Sequence, residues 1–113
     1  MIALLLLLIP ANNFVIEIPR PEPIMAVVTA YTNLPELTDS TPDIVASGKK
    51  VYDGAIANNC RSFGTKIKLL GKEYTVEDRM NRRYGCSHWD IFVSSYDEAI
   101  KFGRIKTEVY VMR

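Results

Sequence analysis

Two aspartates stand where a carboxylate could do chemistry. Asp78 ends the stretch "YTVED" (74–78), just before the loop "RMNRRYGCS" (79–87), and Asp90 follows that loop inside "HWDIFVS" (88–94). The neighbours of Asp90 are Trp89, Ile91, Phe92 and Val93, which read as a buried strand. A carboxylate in such surroundings is costly unless it is paired, hydrogen-bonded or neutralised by a raised pKa. Adjacent strands joined by one loop would bring both carboxylates to the same rim of a small barrel. Two carboxylates in different environments can divide acid and base roles, which is what cleavage of a glycosidic bond requires. The structural alternative pairs Asp78 with Arg79, Arg82 or Arg83 and makes Asp90 a turn cap, and on spacing alone that alternative is favoured.

The elements that must position these residues are mostly β. "MAVVTAYT" (25–32) is β-branched and aromatic without a helical period, and "GAIANN" (54–59) reads as a short strand. In "TKIKLLGKEYTVEDR" (65–79), Lys66 and Lys68 alternate with Ile67 and Leu69, which predicts a hairpin turning at Gly71-Lys72. "HWDIFVS" and "RIKTEVYVMR" (104–113) supply further strands. Between them "SYDEAIKFG" (95–103) predicts a short helix capped by Ser95, with Glu98 three residues on and Gly103 at its end. "NLPELTDSTPDIVASGKK" (33–50) is rich in turn formers and reads as a long loop, suited to a binding cleft. Six short strands and one small helix predict a closed barrel, since closure removes exposed edges.

The start of the chain has another character. "IALLLLLIP" (2–10) is too short to span a bilayer but suits the apolar core of a secretory signal. It lacks a preceding Lys or Arg, and no small-x-small cleavage site follows, so the expected signal is atypical or truncated. A short buried helix is the alternative. Pro19, Pro21 and Pro23 then mark an extended spacer. The expected division is therefore a signal-like segment and spacer over 1–24 and one domain over 25–113.

The chain's 14 basic and 13 acidic residues form no polycation, so nothing points to nucleic acid or an anionic membrane. Cys60 and Cys86, with the single His88, are too few for a structural zinc site. In an exported protein the two cysteines are expected to pair. In a cytosolic one they would be free thiols.

Several segments, in order, resemble the double-psi β-barrel of the three-aspartate domain family. They are "VTAY" (28–31), "ASG" (46–48), "GAIANN", "FGTKIKL" (63–69), "YTVEDR" (74–79), "HWDIFVSSYDEAIKFGR" (88–104) and "VYVM" (109–112). Relatives of that family include the catalytic barrel of membrane-bound lytic transglycosylase A, rare lipoprotein A-like enzymes and expansins. The resemblance implies an all-β fold with a small helical part, a six-stranded double-psi barrel. It also implies that Asp90 is the catalytic acid, its pKa raised by the apolar strand, and that Asp78 is the second aspartate of the pair. Tyr31 matches an aromatic position of the cleft, with Thr29 preceding it. The family's first aspartate is replaced by Asn58 or Asn59, its usual glycines by "DRMNRR", and Cys86 is an addition.

Thr29, Tyr31, Asn59 and His88 are the expected substrate contacts. His88 should point the same way as Asp90 and Trp89 the opposite way, into the core. Tyr31, Tyr52 and Tyr84 are candidates for stacking on sugar rings. Arg79, Arg82 and Arg83 form a basic loop able to attract the carboxylates of peptidoglycan stem peptides. The implied function is an exported, cell-envelope lytic enzyme that cuts peptidoglycan glycan strands, without metal or cofactor and with no stable protein partner implied. The alternative is a non-catalytic glycan-binding or wall-loosening module.

Overall fold

The computed structural model describes residues 23–33 and 43–112. Its elements are β1 (Pro23–Tyr31), β2 (Ala55–Ala57), β3 (Lys66–Leu69), β4 (Lys72–Asp78), β5 (His88–Phe92), α1 (Tyr96–Phe102) and β6 (Ile105–Val111). The strands close into a barrel in the order β1-β5-β2-β4-β3-β6, with one short helix among the described residues, as the all-β reading expects. Only β3 and β4 are neighbours both in sequence and in the barrel. β1 runs parallel to β5 and β2 parallel to β4. The remaining pairs, β1–β6, β2–β5, β3–β4 and β3–β6, are antiparallel. Exchanging β1 with β4, β2 with β5 and β3 with β6 leaves this scheme unchanged, the internal two-fold of a double-psi arrangement.

Strand alternation decides what lies inside. Val28 of β1, Ile56 of β2, Val76 of β4 and Trp89 and Ile91 of β5 belong to the packed interior. The residues between them on β1 and β5, among them Thr29, Tyr31, Asp90 and Phe92, therefore stand on the outer wall. Trp89 is core, 1 % exposed, as the alternation requires.

Two boundaries differ from the sequence expectation. β1 begins at Pro23, inside the expected spacer, with Pro23 opposite Tyr110 and Ile24 opposite Val109. A proline is tolerated there because it is the first residue of the strand. The signal-like segment, the rest of the spacer and residues 34–42 of the expected long loop lie outside the described residues. The hairpin turns at Leu70-Gly71 rather than Gly71-Lys72, since Leu69 already pairs with Lys72. Both turn residues have positive φ, 52° and 78°, as a two-residue type I′ turn demands in order to follow the twist of its strands.

α1 forms where its caps predict. The Ser95 side chain accepts a hydrogen bond from the Glu98 amide, and the Gly103 amide, at φ 66°, donates to the Ala99 carbonyl. Cys60 and Cys86 are joined in a disulfide, their Cα atoms 5.3 Å apart, which ties the β2–β3 connection to the segment before β5. Closing a loop of sequence separation 26 stabilises by about 3–4 kcal/mol in the chain-entropy account.

Candidate active site

Ala57 is the centre of the site. It pairs with Asp90 of β5 on one side and with Asp78 of β4 on the other. Neighbouring strands lie about 4.8 Å apart, so the two aspartate Cα atoms stand roughly 10 Å apart with only a methyl group between them. A register shift between Ile56 and Ala57 makes this possible. Ile56 faces Val76, and in an unbroken ladder Ala57 would face Glu77. The shift substitutes Asp78, the kind of re-aiming that a bulge provides.

Asp90 stands on β5 between the core residues Trp89 and Ile91 and is itself half-buried. Its Oδ1 accepts a hydrogen bond of 2.9 Å from the Thr29 hydroxyl, directly across from it on β1. Burial pushes its pKa up, the Thr29 bond pulls it down and the charge of Asp78 adds to the rise, leaving it raised to about 6. Among the described residues its Oδ2 accepts no hydrogen bond. Asp90 is a strand residue and caps no turn.

Asp78 is held differently. Its Oδ2 accepts from the Tyr31 hydroxyl at 3.0 Å, and its Oδ1 accepts from the amides of Ala46 and Arg79, each at 2.9 Å. No guanidinium pairs with it among the described residues: the Arg79 side chain donates to the Asn58 carbonyl at 2.9 Å and lies over the Phe63 ring. Tyr31 packs edge-on against Phe92. Its phenol pKa is raised, first by burial and then by the charge and hydrogen bond of Asp78. Thus β1 supplies one hydroxyl to each aspartate, and the segment carrying Ala46 meets the outer barrel wall at Asp78.

That segment is anchored by a residue the sequence pattern does not single out. Glu77 is 1 % exposed. Its side chain accepts from the Tyr52 hydroxyl at 2.7 Å and from Lys49 Nζ at 3.2 Å, while its carbonyl accepts from the Ser47 amide at 2.9 Å. Burial pushes the Glu77 carboxyl up, but the hydrogen bonds from Tyr52 and Lys49 outweigh it and leave the pKa below the usual value. Nothing local marks this role, since alternation in "EYTVED" places Glu77 on the outer face and its partners lie 25 and 28 residues away. Tyr52, expected as a sugar platform, is the brace of this carboxylate.

The other expected residues surround the pair. Asn58 is fully buried, donating to the carbonyls of Cys86 and His88 and accepting from the amides of Cys60 and Arg61. Asn59 donates to the carbonyls of Asn81 and Tyr84 and accepts from the Met80 amide. Both amides thus hold the β4–β5 loop. His88 is half-buried two residues before Asp90, its ring 5.2 Å from that of Tyr84 and its Nδ1 buried without a partner among the described residues. Tyr84 also carries the Arg83 guanidinium over its face. An open hollow of about 370 Å³ lies beside the disulfide, lined by residues including Ile24, Arg61 and Trp89, and touches neither aspartate.

What the arrangement can do chemically follows from these contacts. One carboxyl has a raised pKa and, among the described residues, an oxygen without a donor, and the second stands a short span away, oriented by three donors. No protein-family model matches this sequence, and no curated protein matches it either.

Proposed function

We propose that the protein is an exported cell-wall lytic enzyme that cuts the glycan strands of peptidoglycan, of the lytic transglycosylase type suggested by its resemblance to three-aspartate barrels. The observation that carries the reading is the half-buried Asp90 across Ala57 from Asp78, with its pKa raised to about 6 and, among the described residues, one hydroxyl donor and an oxygen without a partner. At pH 7 roughly a tenth of such a group is protonated, a reservoir of acid that an ordinary aspartate lacks.

Asp90 gives its proton to the glycosidic oxygen as the bond from that oxygen to C1 breaks. The 6-hydroxyl of the same muramic acid residue then closes on C1, and its proton passes to Asp78, whose donors keep it aimed into the cleft. The product is an anhydro sugar end, and the displaced sugar leaves with a hydroxyl. Thr29 keeps Asp90 in one rotamer, and His88, on the same wall, is placed to meet the substrate.

The competing reading is a glycan-binding or wall-loosening module. It draws on Asn58 and Asn59, whose amides are turned to the loop backbone where the family carries an aspartate. Incubation with purified peptidoglycan followed by mass analysis separates the possibilities. Anhydro-muropeptides support the transglycosylase. Reducing ends alone identify a hydrolase, and binding without cleavage identifies the module.

A further inference from the structure

The connections 58–65 and 79–87 contain Arg61, Arg79, Arg82 and Arg83 and no Asp or Glu. They are fastened to each other by the Cys60–Cys86 disulfide and by the amides of Asn58 and Asn59. Among the described residues none of these four guanidinium groups pairs with a carboxylate; the ion pairs there are Lys49–Glu77 and Lys72–Asp53. Two of the four are fixed in place. Arg79 lies 3.9 Å from the centre of the Phe63 ring and donates to the carbonyl next to Ala57. Arg83 lies 4.8 Å from the centre of the Tyr84 ring and donates to its hydroxyl at 2.8 Å.

Arg79 directly follows Asp78, and Arg83 lies on Tyr84, whose ring stands 5.2 Å from that of His88, two residues before Asp90. Stacking on an aromatic face and one hydrogen bond use part of each guanidinium and leave donors of its planar fork for a carboxylate. A fork held in advance loses little freedom when it binds, which favours bidentate capture of an anion.

We infer that Arg79 and Arg83 form a carboxylate-binding subsite that holds the acidic peptide side chains of the glycan. This rests on the proposed function and names the part of the substrate that the arginine-bearing loop engages. A carboxylated glycan fits better than a phosphodiester polymer, because the cleft floor itself carries Asp78 and Asp90 and would repel a continuous polyanion.

The test is co-sedimentation of the full chain with two probes, intact peptidoglycan sacculi and the same sacculi with their peptide carboxyls converted to amides. The parent should bind the intact sacculi at least tenfold more tightly. Arg79→Gln with Arg83→Gln should bring the two affinities together, and Arg79→Lys, which keeps the charge but not the fork, should lose part of the preference. Thermal melting confirms that each variant is folded, and Arg83→Gln alone serves if the double variant is not. Equal binding of both probes by the parent, absence of binding to either, a preference unchanged in the variants, or tighter binding to duplex DNA than to sacculi overturns the subsite. The readout is binding alone. Anhydro products without a carboxylate preference remove the subsite and leave the acid mechanism, and a preference without cleavage does the reverse.

Discussion

Asp90 and Glu77 are two carboxylates withdrawn from water within the same sheet, and their pKa values move in opposite directions. Glu77 is the more deeply buried side chain, at 1 % exposure, yet its pKa is lowered. Asp90 is less buried, and its pKa rises to about 6. Burial pushes both carboxyls up, and the partners help to set the net direction. Among the described residues Glu77 has a phenol and an ammonium group on its carboxylate, and Asp90 has a threonine hydroxyl and the repulsion of Asp78. Burial alone therefore does not make an acid; burial without sufficient donors does. The contrast separates the two residues, with Glu77 holding the segment that presents the Ala46 amide to Asp78 and Asp90 left with a raised pKa.

The largest effect should come from Asp90→Asn, which keeps shape and hydrogen-bonding capacity but removes the proton. Turnover of peptidoglycan should fall by roughly 10²–10⁴, the usual worth of a positioned acid, with the fold retained. Asp78→Asn should lose less. Cleavage by Asp90→Asn at the parent's rate would exclude Asp90 as the acid.

Glu77→Ala comes next, and its effect is on stability. Losing hydrogen bonds to a charged, buried acceptor should cost about 3 kcal/mol in denaturant unfolding. Because the folded pKa of Glu77 is lowered, its contribution is present above the unfolded value of 4.5 and is lost as pH falls through the folded one. The variant should therefore lack part of the parent's acid-induced loss. A Glu77→Ala protein as stable as the parent would mean that the brace is not structural.

Asp90 has the opposite sign. Its folded pKa lies above the unfolded one, so its stabilising protonation is complete below 3.8 and is lost as pH rises through about 6. Asp90→Asn should gain about 3 kcal/mol at pH 7 and flatten the stability profile between pH 4 and 6. A parent profile that is flat over this window, and unchanged by the substitution, would show that Asp90 is not perturbed.

The smallest change is expected for Thr29→Val, which removes the hydroxyl that holds the Asp90 pKa down. The alkaline limb of the pH–rate profile should move to higher pH with little change in stability. Movement to lower pH would reverse the role assigned to Thr29.

Much of this is readable in order along the chain, and the reasons are local. Alternation in Lys66–Leu69 and around Asp90 is a property of residues two apart, and the cap of α1 depends on Ser95, Glu98 and Gly103 alone. The two cysteines and the two aspartates can be named because few residues of their types occupy such places. The hairpin turn falls one residue earlier than its pattern suggests because Leu70 takes a positive φ that its side chain does not advertise. Tyr31 can be assigned to the cleft from sequence, but its role cannot, since its hydroxyl orients Asp78, 47 residues away. Glu77 escapes notice because its burial comes from Lys49 and Tyr52, which arrive from a different segment.

By itself the sequence determined the strands, the helix and its caps, and which carboxylates were candidates, because these depend on side-chain period and on residues within a turn of one another. Only the tertiary structure decided which donors reach each carboxylate. Closing the barrel through non-consecutive strands set Thr29 against Asp90, and the register shift at Ala57 turned Asp78 rather than Glu77 toward it. Proton affinity follows from the number of donors that reach a buried group, and those donors come from strands and loops that no local pattern brings together.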